Sequence, residues 1–221
     1  MTRIDKIISV FNFNTIVFNF KYLPLKKAVK FPFLLSRNVY FKKLKGTIEI
    51  DAPVFFGMIK IGLGEVGIFD KKTSNTIWNL EGKITFKGRA SIGHGSKIYV
   101  KKRGKLTFGE NFTITAESSI IASNEIVFGT NCLMSWDCLI MDTDFHKIKN
   151  EQGTILNNDA PIVFGNNIWI GCRSIVLKGS SIPNNCVIGA NSFVSKKLES
   201  ENCLYVGNPI KCVKENIKWE L

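Results

Sequence analysis

The stretch IWIGCRSIVLKGSSIPNNCVIGANSFVSKK, residues 168–197, decides the fold. A bulky apolar residue returns at every sixth position, and the same column runs back to residue 86, with a two-residue slip after Ile120. The column consists of Phe86, Ile92, Ile98, Phe108, Ile114, Ile120, Phe128, Met134, Ile140, Phe164, Ile170, Val176, Ile182, Ile188 and Val194. A period of six fits neither an α-helix, at about 3.6, nor the ~8–12-residue strand spacing of an ordinary β-sandwich.

A second column of small residues follows the first at an offset of four. It consists of Ala90, Ser96, Ser118, Cys132, Cys138, Ser174, Ser180, Cys186 and Ser192. Large and small residues in this alternation predict a narrow coil with three flat faces, in which the large side chains fill the interior and the small ones lie at the corners. Three cysteines are thereby assigned to the core, where cysteine packs as a small hydrophobe. The chain has no CxxC pair, which argues against a zinc ribbon or a thioredoxin-type site.

The fold class that these columns predict is an all-β parallel β-helix. The ends of such a solenoid expose unpaired backbone and apolar side chains, so both ends need caps. We therefore expect residues 1–45 to form an N-terminal cap, residues 46–210 to form the β-helix, and residues 211–221 to form a short, helical C-terminal tail.

Positive charge is concentrated in the N-terminal segment. Residues 1–45 hold ten Lys/Arg and one acid, which is +9 of the chain's net +12. Phenylalanines alternate with these charges at positions 11, 13, 18, 20, 31 and 33. The mixture predicts a cap with inward phenylalanines and solvated lysines, and it is compatible with peripheral contact to an anionic membrane. No nucleic-acid-binding module is recognisable, so nucleic acid is not an expected partner.

The chain shows no sign of export or of membrane insertion. No apolar run approaches the ~20 residues needed to span a bilayer. The apolar stretch at residues 7–20 is short, contains asparagines, and lacks the small-residue cleavage site of a signal peptide. A cytoplasmic location is expected.

Residues 168–197, followed by VGNPIKCVKENIKW at 206–219, resemble the left-handed β-helix hexapeptide-repeat acyltransferases, whose pattern is [LIV]-G-x-x-[STAC]-x. Within that family the similarity is to the acetyl-CoA-dependent O-acetyltransferases of capsular and surface polysaccharides. The resemblance implies a left-handed coil, acetyl-CoA as the acyl donor, no metal, and a homotrimer with active sites between subunits.

The histidine of the stretch LIMDTDFHKI, His146, lies where the column breaks. Ile140 and Phe164 are four repeats apart, yet positions 146, 152 and 158 between them are polar, so residues 143–161 are expected to leave the coil as a loop. The resemblance makes His146 the general base that deprotonates a sugar hydroxyl as it attacks the thioester. The alternative is an ordinary solvated loop histidine.

Two carboxylates flank this histidine, and either Asp142 or Asp144 is expected to orient the imidazole. The spacing does not choose between them. The other histidine, His94, is expected on an exposed part of the coil in a turn or surface role.

The donor side is inferred from the resemblance alone. It implies that the backbone N–H of Cys172 stabilises the thioester oxyanion and that Trp169 lines the reaction centre. The expected coenzyme A contacts are Gly171, Cys172, Lys178, Ala190, Ser195, Lys196, Lys211 and Lys214. The rival role of Cys172, an acyl-carrying nucleophile, lacks a second histidine nearby.

The predicted function is acetyl transfer to a hydroxyl of a surface or capsular glycan, or of its nucleotide-sugar precursor. N-acetylation of an amino sugar needs the same base and stays open. A non-enzymatic β-solenoid scaffold is the other alternative, although it would show regular faces, and here a loop interrupts the coil. A γ-class carbonic anhydrase site needs three zinc-binding histidines, and the chain has two.

Overall fold

The computed structural model describes residues 11–220. From β1 to β20 the strands follow one another around three parallel sheets, and each sheet contains every third strand. Sheet 1 contains β1 (Phe33–Leu35), β4 (Ile59–Leu63), β7 (Ala90–Gly93), β10 (Phe112–Ile114), β13 (Leu133–Met134), β16 (Trp169–Ile170), β19 (Val187–Ile188), β21 (Leu204–Val206) and β22 (Lys211–Lys214).

The other two sheets complete each coil, which we define as three successive strands. Sheet 2 contains β2 (Val39–Leu44), β5 (Thr76–Leu80), β8 (Lys97–Val100), β11 (Ser119–Ala122), β14 (Leu139–Met141), β17 (Ile175–Leu177) and β20 (Phe193–Val194). Sheet 3 contains β3 (Thr47–Ile50), β6 (Lys83–Phe86), β9 (Lys105–Phe108), β12 (Glu125–Phe128), β15 (Ile162–Phe164) and β18 (Ser181–Ile182). The turns between sheets are called corner 1–2, corner 2–3 and corner 3–1.

Successive coils stack in register, so that bulky residues lie over bulky residues. Phe128 pairs with Phe164, for example, and Met134 pairs with Ile170. Every member of the predicted bulky column is at most 1% exposed. The predicted parallel β-helix is therefore confirmed, and its interior is a continuous column of apolar side chains.

The small column is buried at the corners, as predicted. Two of its hydroxyls, for example, donate to carbonyls of the next coil: Ser118 Oγ lies 2.8 Å from the Ser135 oxygen, and Ser174 Oγ lies 3.0 Å from the Gly189 oxygen. The assignment of three cysteines to the core is confirmed. Burial raises the pKa of the Cys132 thiol to about 12 and that of Cys138 to about 11, which keeps both unreactive.

Two helices, α1 (Phe13–Tyr22) and α2 (Leu25–Ala28), precede the first coil. Polar side chains of α1 occupy the open edge of β1. The Asn19 amide both donates to the Phe33 carbonyl (2.8 Å) and accepts from the Phe33 N–H (3.2 Å), and Thr15 Oγ1 accepts from the Leu35 N–H (2.9 Å). Phe18 is fully buried against the first coil. The helix thus protects an edge that would otherwise expose unpaired backbone.

The β-helix begins earlier than residue 46, because β1 and β2 already form its first coil and pair in parallel with β4 and β5. The six-residue period is hidden there by long connections before β4 and β5, and by the burial of all three β1 residues. The expectation of inward phenylalanines is wrong for Phe11, Phe13 and Phe20, which are exposed. The first ten residues of the expected cap, and Leu221 of the tail, lie outside the described residues.

The C-terminal tail is a strand and not a helix. β22 pairs antiparallel with β21, so that Cys212 lies opposite Tyr205. A tail of about ten residues is a marginal helix in isolation, whereas the free edge of β21 offers unpaired hydrogen-bonding groups. The Trp219 indole N–H then donates to the Asn167 carbonyl (2.8 Å) and holds the tail against sheet 1. Within residues 11–220, neither helix has the length and hydrophobicity of a bilayer span.

Truncating one core aromatic tests the stacked interior. Phe128 lies face to face with Phe164, with ring centroids 4.4 Å apart, and is stacked on Phe108 at 5.9 Å. We expect Phe128→Ala to lower the free energy of unfolding by about 3–5 kcal/mol, measured by denaturant titration. Val163→Ala, which truncates an exposed residue of the adjoining strand, is the matched control and should cost less than about 1 kcal/mol. Equal costs would contradict the assignment of Phe128 to the core.

Candidate functional site

A loop of residues 142–161 leaves the coil at corner 2–3, between β14 and β15. This confirms the excursion predicted for residues 143–161. The loop contains an isolated antiparallel bridge between Lys149 and Ile155 and folds back over the preceding coils. Its Asp159 carboxylate accepts a hydrogen bond from Ser123 Oγ (2.7 Å), one coil earlier.

Asp142 fixes the start of the loop to that preceding coil. Its fully buried carboxylate accepts the backbone N–H groups of Ser123 (2.6 Å) and Asn124 (2.9 Å). Burial raises the pKa of Asp142, and these two hydrogen bonds oppose the rise. Both carboxylate oxygens are therefore occupied by the backbone of the corner.

Asp144 fixes the loop to the coil that follows. Lys178, at corner 2–3 after β17, donates to the Asp144 carboxylate (2.5 Å) and to the Asn157 carbonyl (2.8 Å). The Asn157 amide also donates to Asp144 (2.7 Å). The hydrogen bond from Lys178 is the main reason that the pKa of Asp144 lies below its usual range. The two ends of the loop are thus joined to each other and to the solenoid.

His146 itself is exposed on this fixed loop. Its backbone carbonyl accepts from the Asn157 amide (2.9 Å), but its imidazole has no hydrogen-bond partner within residues 11–220. The carboxylates expected to orient the ring, Asp142 and Asp144, bind the backbone and Lys178 instead. The structure brings neither of them to the imidazole.

A cleft of about 460 Å³ lies between the loop and corner 2–3. Its lining residues are Lys101, Arg103, Thr143, Phe145, His146, Lys147, Ile155, Asn157, Asn158 and Asp159. The two cations from the turn after β8, Lys101 and Arg103, did not emerge from the sequence reasoning. Counting coils along corner 2–3 could have found them, because this turn lies two coils before the loop.

Three of the expected donor residues, Gly171, Cys172 and Ala190, lie at corner 1–2. Cys172 follows β16 at corner 1–2 and stacks on Ala190 of the next coil, where the Asn191 N–H donates to the Cys172 carbonyl (2.9 Å). A side chain at Gly171 would come within 2.5 Å of the Ala190 nitrogen, so this position requires glycine. The neighbouring N–H groups of Gly171 and Arg173 bind carbonyls of adjacent coils, whereas the Cys172 N–H has no hydrogen bond within the described part of the chain.

The remaining expected residues are spread along the solenoid. Trp169 is exposed on β16, where its indole N–H donates to Ser135 Oγ (3.2 Å). Ser195 and Lys196 are exposed and open corner 2–3 after β20. Lys211 and Lys214 are exposed on β22. None of the donor-side residues lines the cleft of His146, and Lys178, expected to bind coenzyme A, faces the loop.

His94 is buried, which corrects the expectation of an exposed position. Its side chain is 1% exposed, and Nδ1 lies 2.9 Å from Ser74 Oγ, which also donates to the Glu117 carboxylate. Burial lowers the pKa of His94 and so favours the neutral ring. The residue ties the connection before β5 to the coil. Ser74 lies 20 residues from His94 and 43 residues from Glu117 along the chain, so local spacing gave no sign of these contacts.

Known proteins resemble this chain over its repeats. The putative lipopolysaccharide biosynthesis O-acetyl transferase WbbJ of Escherichia coli K12 is 26% identical over 144 residues, which is 61% of this chain and 73% of that protein. The polysialic acid O-acetyltransferase of Neisseria meningitidis is 36% identical over 104 residues, or 47% of this chain and 48% of that protein. Over these residues this chain is similar to proteins named O-acetyltransferases.

The solved structures agree with this similarity at the level of the fold. The crystal structure of the polySia-specific acetyltransferase NeuO matches 83% of this chain and 72% of its own, with a TM-score of 0.51 and 21% identity. The fold class, a left-handed parallel β-helix, is confirmed. No family model matches the chain, and the match spans about half the length of the second relative.

The two aspartates make a direct test of the site's construction. We expect Asp142→Ala to lower the free energy of unfolding by about 2–4 kcal/mol, because it leaves two N–H groups without their acceptor. Asp144→Ala, the matched control at a partly exposed ion pair, should cost less than about 1 kcal/mol. Denaturant titration of both variants measures the difference. An unchanged stability of Asp142→Ala would leave that carboxylate free to orient His146.

Proposed function

We propose that this chain is an acetyl-CoA-dependent O-acetyltransferase that acts on a hydroxyl of a bacterial surface or capsular glycan or of its nucleotide-sugar precursor. The observation that carries the proposal is His146, whose imidazole has no partner in the described residues and lines an open cleft on a loop fixed at both ends. The relatives named O-acetyltransferases support the reaction class. A scaffold protein would have no need of such a fixed, open base.

The reaction assigns His146 the role of general base. Its imidazole takes the proton of the acceptor hydroxyl as the oxygen attacks the thioester carbonyl carbon. The carbon–sulfur bond then breaks, and the imidazolium returns the proton to the departing thiolate, which leaves an acetyl ester and free coenzyme A. The N–H of Cys172, which has no hydrogen bond within residues 11–220, is suited to stabilise the negative oxygen between these steps, because it is fixed by the stacked coils.

The separation of the reacting groups supports a site shared between subunits. The loop of His146 occupies corner 2–3, whereas Cys172 and Ala190 occupy corner 1–2. In a homotrimer, a neighbouring chain can present its corner 1–2 to this loop, so that one subunit supplies the base and the other holds the thioester. Ser195, Lys196, Lys211 and Lys214 remain exposed and available to the phosphates of coenzyme A. Lys178 would act indirectly, by holding the loop.

Replacement of the base tests the proposal. His146→Ala should reduce acetyl transfer by about 10²–10⁴-fold, since a positioned base contributes that much, while the unfolding transition stays unchanged. Release of the coenzyme A thiol is measured with a panel of nucleotide sugars, glycans and amino sugars. Lys149→Ala, at an exposed position of the same loop, is the matched control and should retain activity.

Two outcomes would contradict this reaction. A loss of less than about tenfold in His146→Ala would remove the general-base role. Turnover of amino sugars alone would replace O-acetylation by N-acetylation.

A further inference from the structure

The cleft of His146 carries an excess of positive charge. Lys101, Arg103 and Lys147 line it, and Asp159 is the one acid among its described lining residues. None of the three cations forms an ion pair within residues 11–220, and Asp159 is already bound to Ser123. Three unpaired cations that converge on one cleft differ from lysines scattered over a solvated surface.

An aromatic contact holds one of these cations, Lys101, beside the base. The Lys101 ammonium lies 5.2 Å from the centre of the Phe145 ring, and that ring stacks on Tyr99 with centroids 6.5 Å apart. Phe145 directly precedes His146 and has a φ of 60°. A bulky residue is rarely held in this left-handed region, and such strain concentrates at functional sites.

The position of these cations indicates which of the two substrates, acetyl-CoA or the acceptor, they bind. His146 must lie at the thioester carbonyl, and the phosphates of coenzyme A lie at the opposite end of the pantetheine arm. Cations in the cleft of the base are therefore nearer to the acceptor. Resting on the proposed function, we infer that the acceptor is an acidic glycan whose carboxylate or phosphate is bound by Lys101 and Arg103.

Paired acceptors test this inference. Oligosaccharides of sialic acid and of hexuronic acid are each compared with the same oligosaccharide after its carboxyl groups are reduced to hydroxyls. The wild-type protein should acetylate an acidic member with at least about tenfold higher kcat/KM than its neutral partner, and raised salt should reduce the difference. The double variant Lys101→Met/Arg103→Gln should lose this preference and keep its KM for acetyl-CoA.

The neighbouring lysine provides a matched control. Lys102 is exposed between the two cations and does not line the cleft, so Lys102→Gln should retain the preference. Calorimetric binding of the acidic oligosaccharides to His146→Ala needs no turnover, and it separates failure of this inference from failure of the proposed reaction. Equal binding of acidic and neutral members would overturn the inference. So would a rise in KM for acetyl-CoA as large as that for the acceptor, since the cations would then serve the donor phosphates.

A different surface, on the N-terminal cap, carries a second inference. The outer face of the N-terminal cap exposes a cluster of large apolar side chains to solvent. We define the cap face as Phe11, Phe13, Ile16, Phe20, Leu25 and Val29, each between 42% and 78% exposed. Phe13, Ile16 and Phe20 lie on one side of α1, opposite the buried Phe18 and Asn19.

The charge around this face indicates its partner. Residues 11–30, which carry the cap face, contain four lysines and no acid. A second copy of the chain would bring like charge against like charge, which disfavours self-association through this face. A bilayer with anionic headgroups accepts apolar side chains below the headgroups and basic side chains among them. We propose that the cap face binds an anionic membrane surface.

Vesicle flotation tests the second inference with the full chain. The protein should bind vesicles that contain phosphatidylglycerol, bind pure phosphatidylcholine much more weakly, and dissociate at raised salt. Lys26→Glu/Lys27→Glu/Lys30→Glu should weaken binding by about tenfold or more, and Phe13→Ser/Phe20→Ser should weaken it without any change in charge. Lys87→Glu/Lys149→Glu/Lys218→Glu makes the same charge change at exposed positions away from the cap and should bind as the wild type does.

Three results would overturn the membrane inference. They are absence of binding at low salt, equal weakening by the control variant, and a change of oligomeric state in Phe13→Ser/Phe20→Ser by sedimentation velocity. The last result would assign the cap face to contacts between copies of the chain.

Discussion

In-register stacking of one coil on the next is the interaction on which the rest of the structure depends. Each strand hydrogen-bonds to the strand one coil away, so a bulky residue always lies over another bulky residue, as Phe128 lies over Phe108 and under Phe164. A coil cannot bury its own apolar residues, and stability accumulates only from coil to coil. The side chains of α1 and the strand β22 complete the two ends of this array.

The corners can differ in length and sequence, because the hydrogen bonds within the three sheets hold the coils together. Corner 2–3 accommodates the loop of residues 142–161 without any change in register, since Ile140 still pairs with Val176 of the following coil. Asp142 binds the coil before the loop, and Lys178 binds Asp144 from the coil after it. The same geometry separates the loop from corner 1–2, so one chain carries the proposed base, His146, and the proposed oxyanion donor, Cys172, on different edges of the solenoid.

The sequence predicted the features that repeat locally and missed those that depend on distant partners. The bulky column, the buried cysteines and the loop all follow from a six-residue period. The burial of His94 was missed because it depends on Ser74 and Glu117, which the fold brings together from other coils. Asp142 and Asp144 were assigned to His146 because they are close to it along the chain. In the structure their carboxylates instead accept hydrogen bonds from the adjacent coils. Strand β22 was not predicted, because it forms on a free edge of the sheet that cannot be recognised from the sequence of the tail.

Recovery of activity in hybrid trimers is the most direct measurement of the claim that two chains build one site. His146→Ala removes the proposed base, and Ala190→Trp fills the open corner 1–2, so each variant alone should be inactive. If they are co-expressed at equal levels and assemble at random, about a quarter of the sites should combine an intact loop with an intact neighbouring corner. Activity at that level would support a shared site. Hybrids no more active than the sum of the two parents would contradict it, because a site within one chain is defective in both variants.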